Sequence, residues 1–184
     1  MNNSITPKEL FLERIHNEVE LHLQEVIAQF QNLPEHLLLR PSSTSGWSIA
    51  QCLAHLNSYG HYYLPLIKKA IANAPQNSGI LNDKHSWLGK YFTKTMRADA
   101  TQKKYKAFKG HIPATHLNAY AEIAEFINQN EQLLLFLKQA RYIDTNGIKI
   151  NISISKWIKI NLNDLFDFMV AHNNRHLLQA KRNL

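Results

Sequence analysis

The stretch TPKELFLERIHNEVELHLQEVIAQF, Thr6 to Phe30, decides the fold class. Thr6-Pro7-Lys8-Glu9 is a capping box with proline at the first helical position. Behind it, Phe11, Ile15, Val19, His22, Val26 and Phe30 recur at spacings of three and four, the period of one helix face. This predicts an amphipathic helix of about 25 residues, ending near Asn32–Pro34. An apolar stripe that long must be buried against other elements.

Three further segments supply those elements. Ser48-Ile49-Ala50-Gln51 is a second capping box, with Trp47 placed to pack back as a staple. The helix it opens is expected to reach about Asn73, with Gly60 and Pro65 inside it and a kink at the proline. A third helix is expected over roughly 115–140, burying Tyr120, Ile123, Ile127, Leu134 and Leu137. A fourth begins at Asn161, with Asp164 at the reciprocal capping position, and carries Leu162, Leu165, Phe166, Met169 and Val170 toward Lys181. Leu37–Pro41 reads as a connector. Residues 74–113 form a long link that opens with loop residues (Asn73 to Gly79), and Trp87, Leu88, Tyr91, Phe92 and Met96 suit a short helix inside it. Ile148, Ile150, Ile152 and Ile154 alternate with polar residues after the turn signal Asn146-Gly147, so a short extended segment is expected before the fourth helix. The sum is an all-α protein, a four-helix bundle in a single domain over 1–184, whose long link permits a crossover between the second and third helices.

Composition sets limits on function. The one cysteine, Cys52, excludes an intrachain disulfide and any cysteine-cluster zinc or iron–sulfur site, and suits a reducing cytoplasm. The longest apolar run, Leu133–Leu137, is far short of the ~18 residues of a membrane span, so no membrane role is expected. Met1–Leu10 lacks a basic region followed by an apolar stretch, so no signal peptide is expected. Of the net charge of +7, residues 82–111 hold +6, through Lys84, Lys90, Lys94, Arg97, Lys103, Lys104, Lys106 and Lys109 against Asp83 and Asp99. Without a helix-turn-helix, zinc finger or RNA-binding signature, this segment reads as a crossover beside a pocket rather than a nucleic-acid surface.

Ten histidines are the unusual count. His172-Asn173-Asn174-Arg175-His176 sets two imidazoles one helical turn apart on one face, where both can reach one divalent ion near 2.1 Å. The same spacing also serves an ordinary core pair, and no glutamate follows His172 as in the zinc-protease helix. His55, on a helix face with Ser48, Cys52, Tyr59 and Tyr62, is the best third ligand. At ~1.5 Å per residue it lies about 10 Å from the start of its helix, and His176 about 10 Å and His172 about 16 Å from the end of theirs. The three meet if the second and fourth helices run antiparallel, which an up-down-down-up order requires and the long link allows. His16, in Glu13-Arg14-Ile15-His16, has no second such string to build a di-iron site. His22 reads as core, His61 as facing either the site or solvent, and His36, His85, His111 and His116 as loop or helix-end residues.

Trp47-Ser48 with His55, the closing His172-x-x-Arg175-His176-Leu177-x-Gln179 preceded by Leu162-Asn163-Asp164, and the basic link Tyr105-Lys106-Ala107-Phe108-Lys109 to Pro113 together resemble the DinB/YfiT-like superfamily. The resemblance implies an up-down-down-up bundle and a three-histidine metal site, commonly nickel or zinc, with His55, His172 and His176 as first, second and third ligands. It implies activities such as bacillithiol- or mycothiol-dependent transfer and a related isomerisation, and it suggests a homodimer. Gln51 and Asn173 stand where that family often carries acidic residues.

The expected function is therefore a metal-dependent S-transferase that joins a low-molecular-weight thiol to an electrophilic small molecule, with Tyr59 and Tyr62 as candidates to hydrogen-bond substrate or water. Cys52 reads as an inert buried thiol, so the reacting thiol comes from outside. The alternatives are a hydrolase using metal-bound water and a non-catalytic binding bundle presenting the basic 82–111 segment.

Overall fold

A computed structural model describes residues 6–43, 46–75, 85–97, 106–145 and 147–184. It contains α1 (Pro7–Gln29), α2 (Glu35–Leu39), α3 (Ile49–Ala72), α4 (Trp87–Met96), a 3₁₀ turn (Lys109–His111), α5 (Ala119–Ala140), β1 (Lys149–Asn151), β2 (Lys159–Asn161) and α6 (Leu162–Lys181). Both predicted capping boxes form. Thr6 accepts from Glu9 N while the Glu9 carboxylate accepts from Thr6 N, and Ser48 and Gln51 repeat the exchange. The third long helix starts at Ala119, later than 115, because Asn118 caps it through Ala121 N.

Contacts near the helix ends fix the topology. Lys8 at the start of α1 donates to the carbonyl of Ile143 just past α5, at 2.5 Å, so α1 and α5 are antiparallel. Asn57 of α3 meets Glu122 of α5, and Asp144 N beyond α5 meets the Pro75 carbonyl beyond α3, so these two are parallel. Asn183 beyond α6 donates to the carbonyl of Trp47 before α3, which makes that pair antiparallel. Arg14 with Asp167 near one end and Lys181 with Glu25 near the other make α1 and α6 parallel. This is the up-down-down-up bundle of an all-α fold, with α3 and α6 antiparallel as a shared histidine site requires. Lys8 is itself 1% exposed, and burial lowers its ammonium pKa while it caps the carbonyl end of α5.

The apolar interior falls into two clusters. One gathers Phe11, Leu12, Ile15, Val19, Tyr63, Ile67, Leu133, Phe166 and Val170. The other gathers Val26, Phe30, Ile49, Leu53, Leu56, Phe126 and Leu177. Between them lies a buried polar layer: His22 of α1, His55 and Asn57 of α3, Gln129 and Asn130 of α5, and His172 and Asn173 of α6. A bundle that interrupts its core with polar groups on every long helix spends stability there, which marks the layer as the functional level of the molecule.

The long link carries α4, as its aromatic spacing predicts, and α4 lies on α6. The anchor differs from the expected helix cap. Asn161 makes no side-chain cap, and Asp164 instead accepts from His85 Nδ1 (2.7 Å), Ser86 N (3.0 Å) and Ser86 Oγ (2.5 Å). Burial works to raise the Asp164 pKa, but these three donors outweigh it and hold the carboxyl below its ordinary range. Gly89 is what lets α4 come so close, since a Cβ there would lie 2.0 Å from Asp164 Cγ. Gly89→Ala is expected to cost about 1–3 kcal/mol in urea unfolding, the usual penalty of overpacking. An unchanged midpoint would show that α4 does not seat on Asp164.

Ile150 and Ile152 are buried, as their alternation predicts, and β1 pairs antiparallel with β2, which the sequence reading did not foresee. Gly147, at φ +82°, precedes β1 rather than turning between the strands. Asn146, the loop residues Gln76–Gly79, Lys84, Lys103, Lys104, Tyr105 and the acids Asp83 and Asp99 lie outside the described residues. No helix among the described residues is long and apolar enough to cross a membrane.

Candidate metal centre

His55, His172 and His176 converge, each with one ring nitrogen within 4.8 Å of the others. The capping box at Ser48 sets the start of α3 and so the height of His55. The antiparallel α6 brings His172 and His176 to it from consecutive turns. His55 and His172 are 3% and 4% exposed, and His176 is partly buried. Nε2 of His55 lies 3.3 Å from Nε2 of His172. Tetrahedral ligands on spokes of ~2.0–2.1 Å stand about 3.3–3.4 Å apart, so this edge already has metal-site dimensions.

Hydrogen bonding settles which nitrogens are free. Nδ1 of His55 is 2.6 Å from the backbone carbonyl of His111, and a carbonyl has no proton to give, so Nδ1 is the donor. Nδ1 of His176 is 3.0 Å from Oε1 of Gln179, one turn further along α6. Both rings therefore keep the proton on Nδ1 and present the Nε2 lone pair to the cluster when neutral. They are held neutral: burial pushes His55 down to about 4 and His176 to about 3, and burial with the neighbouring histidines pushes His172 well below its ordinary value. Three neutral imidazoles, two of them with their second nitrogens tied off, are the kind of donor set a divalent ion requires, so the residues present fit a metal.

Aromatic rings enclose the cluster. Trp47, read from sequence as a staple, lies 4.8 Å from the His55 ring and 5.8 Å from the His176 ring between centroids. Tyr59 touches His55 and His172, and Phe168 stacks on His172. Of the two tyrosines singled out, Tyr59 is at the cluster, its phenol pushed up to about 12 by burial, whereas the Tyr62 hydroxyl faces the Ile152 carbonyl at 3.5 Å. Cys52 is fully buried and burial raises its thiol to about 12, which keeps it protonated and inert.

Sequence reading missed His111 and Ser58. Ser58 Oγ donates to the His55 carbonyl at 2.6 Å, which uses its one hydrogen, so it accepts from His111 Nδ1 at 2.8 Å. The His111 ring stacks on Tyr59 at 3.7 Å. The end of the long link is thus clamped onto the first histidine of the cluster. No local pattern announces a contact between residues 56 apart, one of them in a loop. Gln179 could have been found, because i and i+3 share a helix face. Of the other histidines, His22 is buried in the core, His61 is exposed beside Glu125 at 2.9 Å, and His85 anchors α4. Gln51 caps α3 and also donates to the Ala114 carbonyl.

The fold and site define an up-down-down-up helical bundle with a cluster of three neutral histidines that could hold a divalent ion. The sequence model of the DinB superfamily matches residues 18–180, and the chain belongs to that superfamily. No curated protein and no solved structure matches it.

Proposed function

We propose that His55, His172 and His176 bind one divalent ion, nickel or zinc, and that the protein is a metal-dependent S-transferase using a low-molecular-weight thiol and an electrophilic small molecule. The observation that supports this most is the convergence of three neutral imidazoles, of which His55 and His176 direct their Nδ1 protons away from the cluster. Such an ion supplies Lewis acidity, which lowers the pKa of a thiol or water reaching it.

The chain's own residues have distinct tasks in this reading. Trp47, Tyr59 and Phe168 exclude water around the imidazoles and raise the strength of charge interactions there. Lys106 and Lys109 are exposed on the segment whose His111 carbonyl touches His55, and Arg175 lies beside His172 and His176. These cations suit a thiol that carries carboxylates, and a cytoplasm that keeps such thiols reduced suits the reaction. Inert Cys52 leaves the nucleophile to the co-substrate.

Hydrolysis at the same centre is the runner-up, since acidified water needs the same ligands. One electrophile assayed on the metal-loaded protein with and without added thiol separates the two. Turnover that requires thiol is the expected result, and an equal rate without thiol establishes hydrolysis.

A further inference from the structure

His55 and His176 each give their Nδ1 proton to a protein oxygen. His172 commits Nε2 to the cluster, and its ring also lines a small, partly enclosed cavity of about 20 Å³, together with Gln129, Asn130 and Asn173. That volume holds one water, because ~10–15 Å³ of such space is enough. The amide orientations around it are fixed by backbone carbonyls. Gln129 Nε2 donates to the Asn57 carbonyl (3.1 Å) and to Glu125 Oε1 (2.6 Å), so its Oε1 is an acceptor with no hydrogen to give. Asn130 Nδ2 donates to the Phe126 carbonyl (2.7 Å), keeping one hydrogen, and its Oδ1 accepts from Asn173 Nδ2 (3.1 Å), which leaves Asn173 Oδ1 as an acceptor.

We propose that this cavity is a one-water site, that its water accepts the Nδ1–H of His172, and that Asn173 and Gln129 are positioning residues of the metal centre. The inference rests on the metal reading above. The hydrogen-bond count closes. The water accepts from His172 Nδ1 and from the second Asn130 hydrogen, and donates to Gln129 Oε1 and Asn173 Oδ1. Two donors and two acceptors, all buried, are the usual complement of a structural water. Every ring of the cluster then holds its proton on Nδ1 and turns Nε2 inward. Gly60 belongs to the same device. A Cβ there would lie 1.7 Å from Gln129 Oε1, so only glycine leaves the acceptor in place.

A high-resolution crystal structure of the zinc-loaded protein, together with zinc titration of wild type, Asn173→Leu and Gln129→Met, tests this. The second variant keeps the shape of the side chain if the first folds poorly. A water within hydrogen-bonding distance of His172 Nδ1 is expected, with zinc affinity falling about 10–100-fold in both variants at unchanged stoichiometry. A dry cavity in a zinc-bound structure, or undiminished zinc affinity in the folded variants, overturns the inference and leaves the three-histidine site standing. Wild type that takes up no zinc, with the water in place, removes the metal reading and the positioning role with it.

Discussion

Single alanine substitutions at His55, His172 or His176 are expected to lower divalent-metal affinity by about 10²–10³-fold each, while the protein remains helical. Four-ligand structural zinc sites bind with ~10–16 kcal/mol, or ~2.5–4 kcal/mol per ligand, and 1.4 kcal/mol is tenfold. The fold should survive because both hydrophobic clusters lie to either side of the polar layer rather than in it. His176 is the most informative variant. It is partly exposed, so truncation leaves the smallest cavity and the loss reads as lost ligation. Competition titration against a chelator of known affinity gives the values. Equal affinity in all three variants would place the ion elsewhere.

Acid should unfold the metal-free protein well before its carboxylates are fully protonated. His22 and His55 titrate at about 4 in the fold and His176 at about 3, against 6.5 ordinarily, with burial the largest cause in each. The unfolded chain therefore binds more protons than the native one between pH ~6.5 and ~4, and stability falls as pH falls through that window. It is fully present above about 6.5. For His22 alone the depression corresponds to roughly 3 kcal/mol. His22 is a clean probe, because it is no member of the cluster and its buried Nδ1 has no hydrogen-bond partner among the described residues. His22→Met should flatten part of the slope of urea midpoint against pH between 7.5 and 4.5. It should also raise the midpoint at pH 5, where the charged unfolded histidine otherwise competes. A wild-type midpoint that does not move over this range would show that these imidazoles are solvated.

Helical period made the long helices readable, since Phe11 to Phe30 and its counterparts repeat at three and four residues, but in α5 it misplaced the buried face: Tyr120 is exposed and Phe126, Leu133 and Phe136 are buried beside Ile123 and Leu137. The topology was readable more indirectly. His55 and the His172–His176 pair share a height only if α3 and α6 oppose, and the contact of Asn183 with Trp47 shows that they do. Long-range polar contacts were not readable. Asp164 sits at a capping spacing, yet a buried carboxylate gains more from three donors on the crossover than from one backbone amide at its own helix start. Strand β2 had no alternating signal of its own, because Lys159-Ile160-Asn161 has one buried residue and takes its pairing from β1. The three ligand candidates stood out by motif and spacing. The groups that orient them (the His111 carbonyl, Ser58 and the amides of Gln129, Asn130 and Asn173) are ordinary residues in sequence, brought to the rings only by packing.

X-ray absorption at the metal edge of the loaded wild-type protein tests the metal centre most directly. One ion per chain with three imidazole nitrogens at ~2.0–2.1 Å is the predicted result. No stoichiometric ion, or a first shell of oxygens without imidazole scattering, would contradict it.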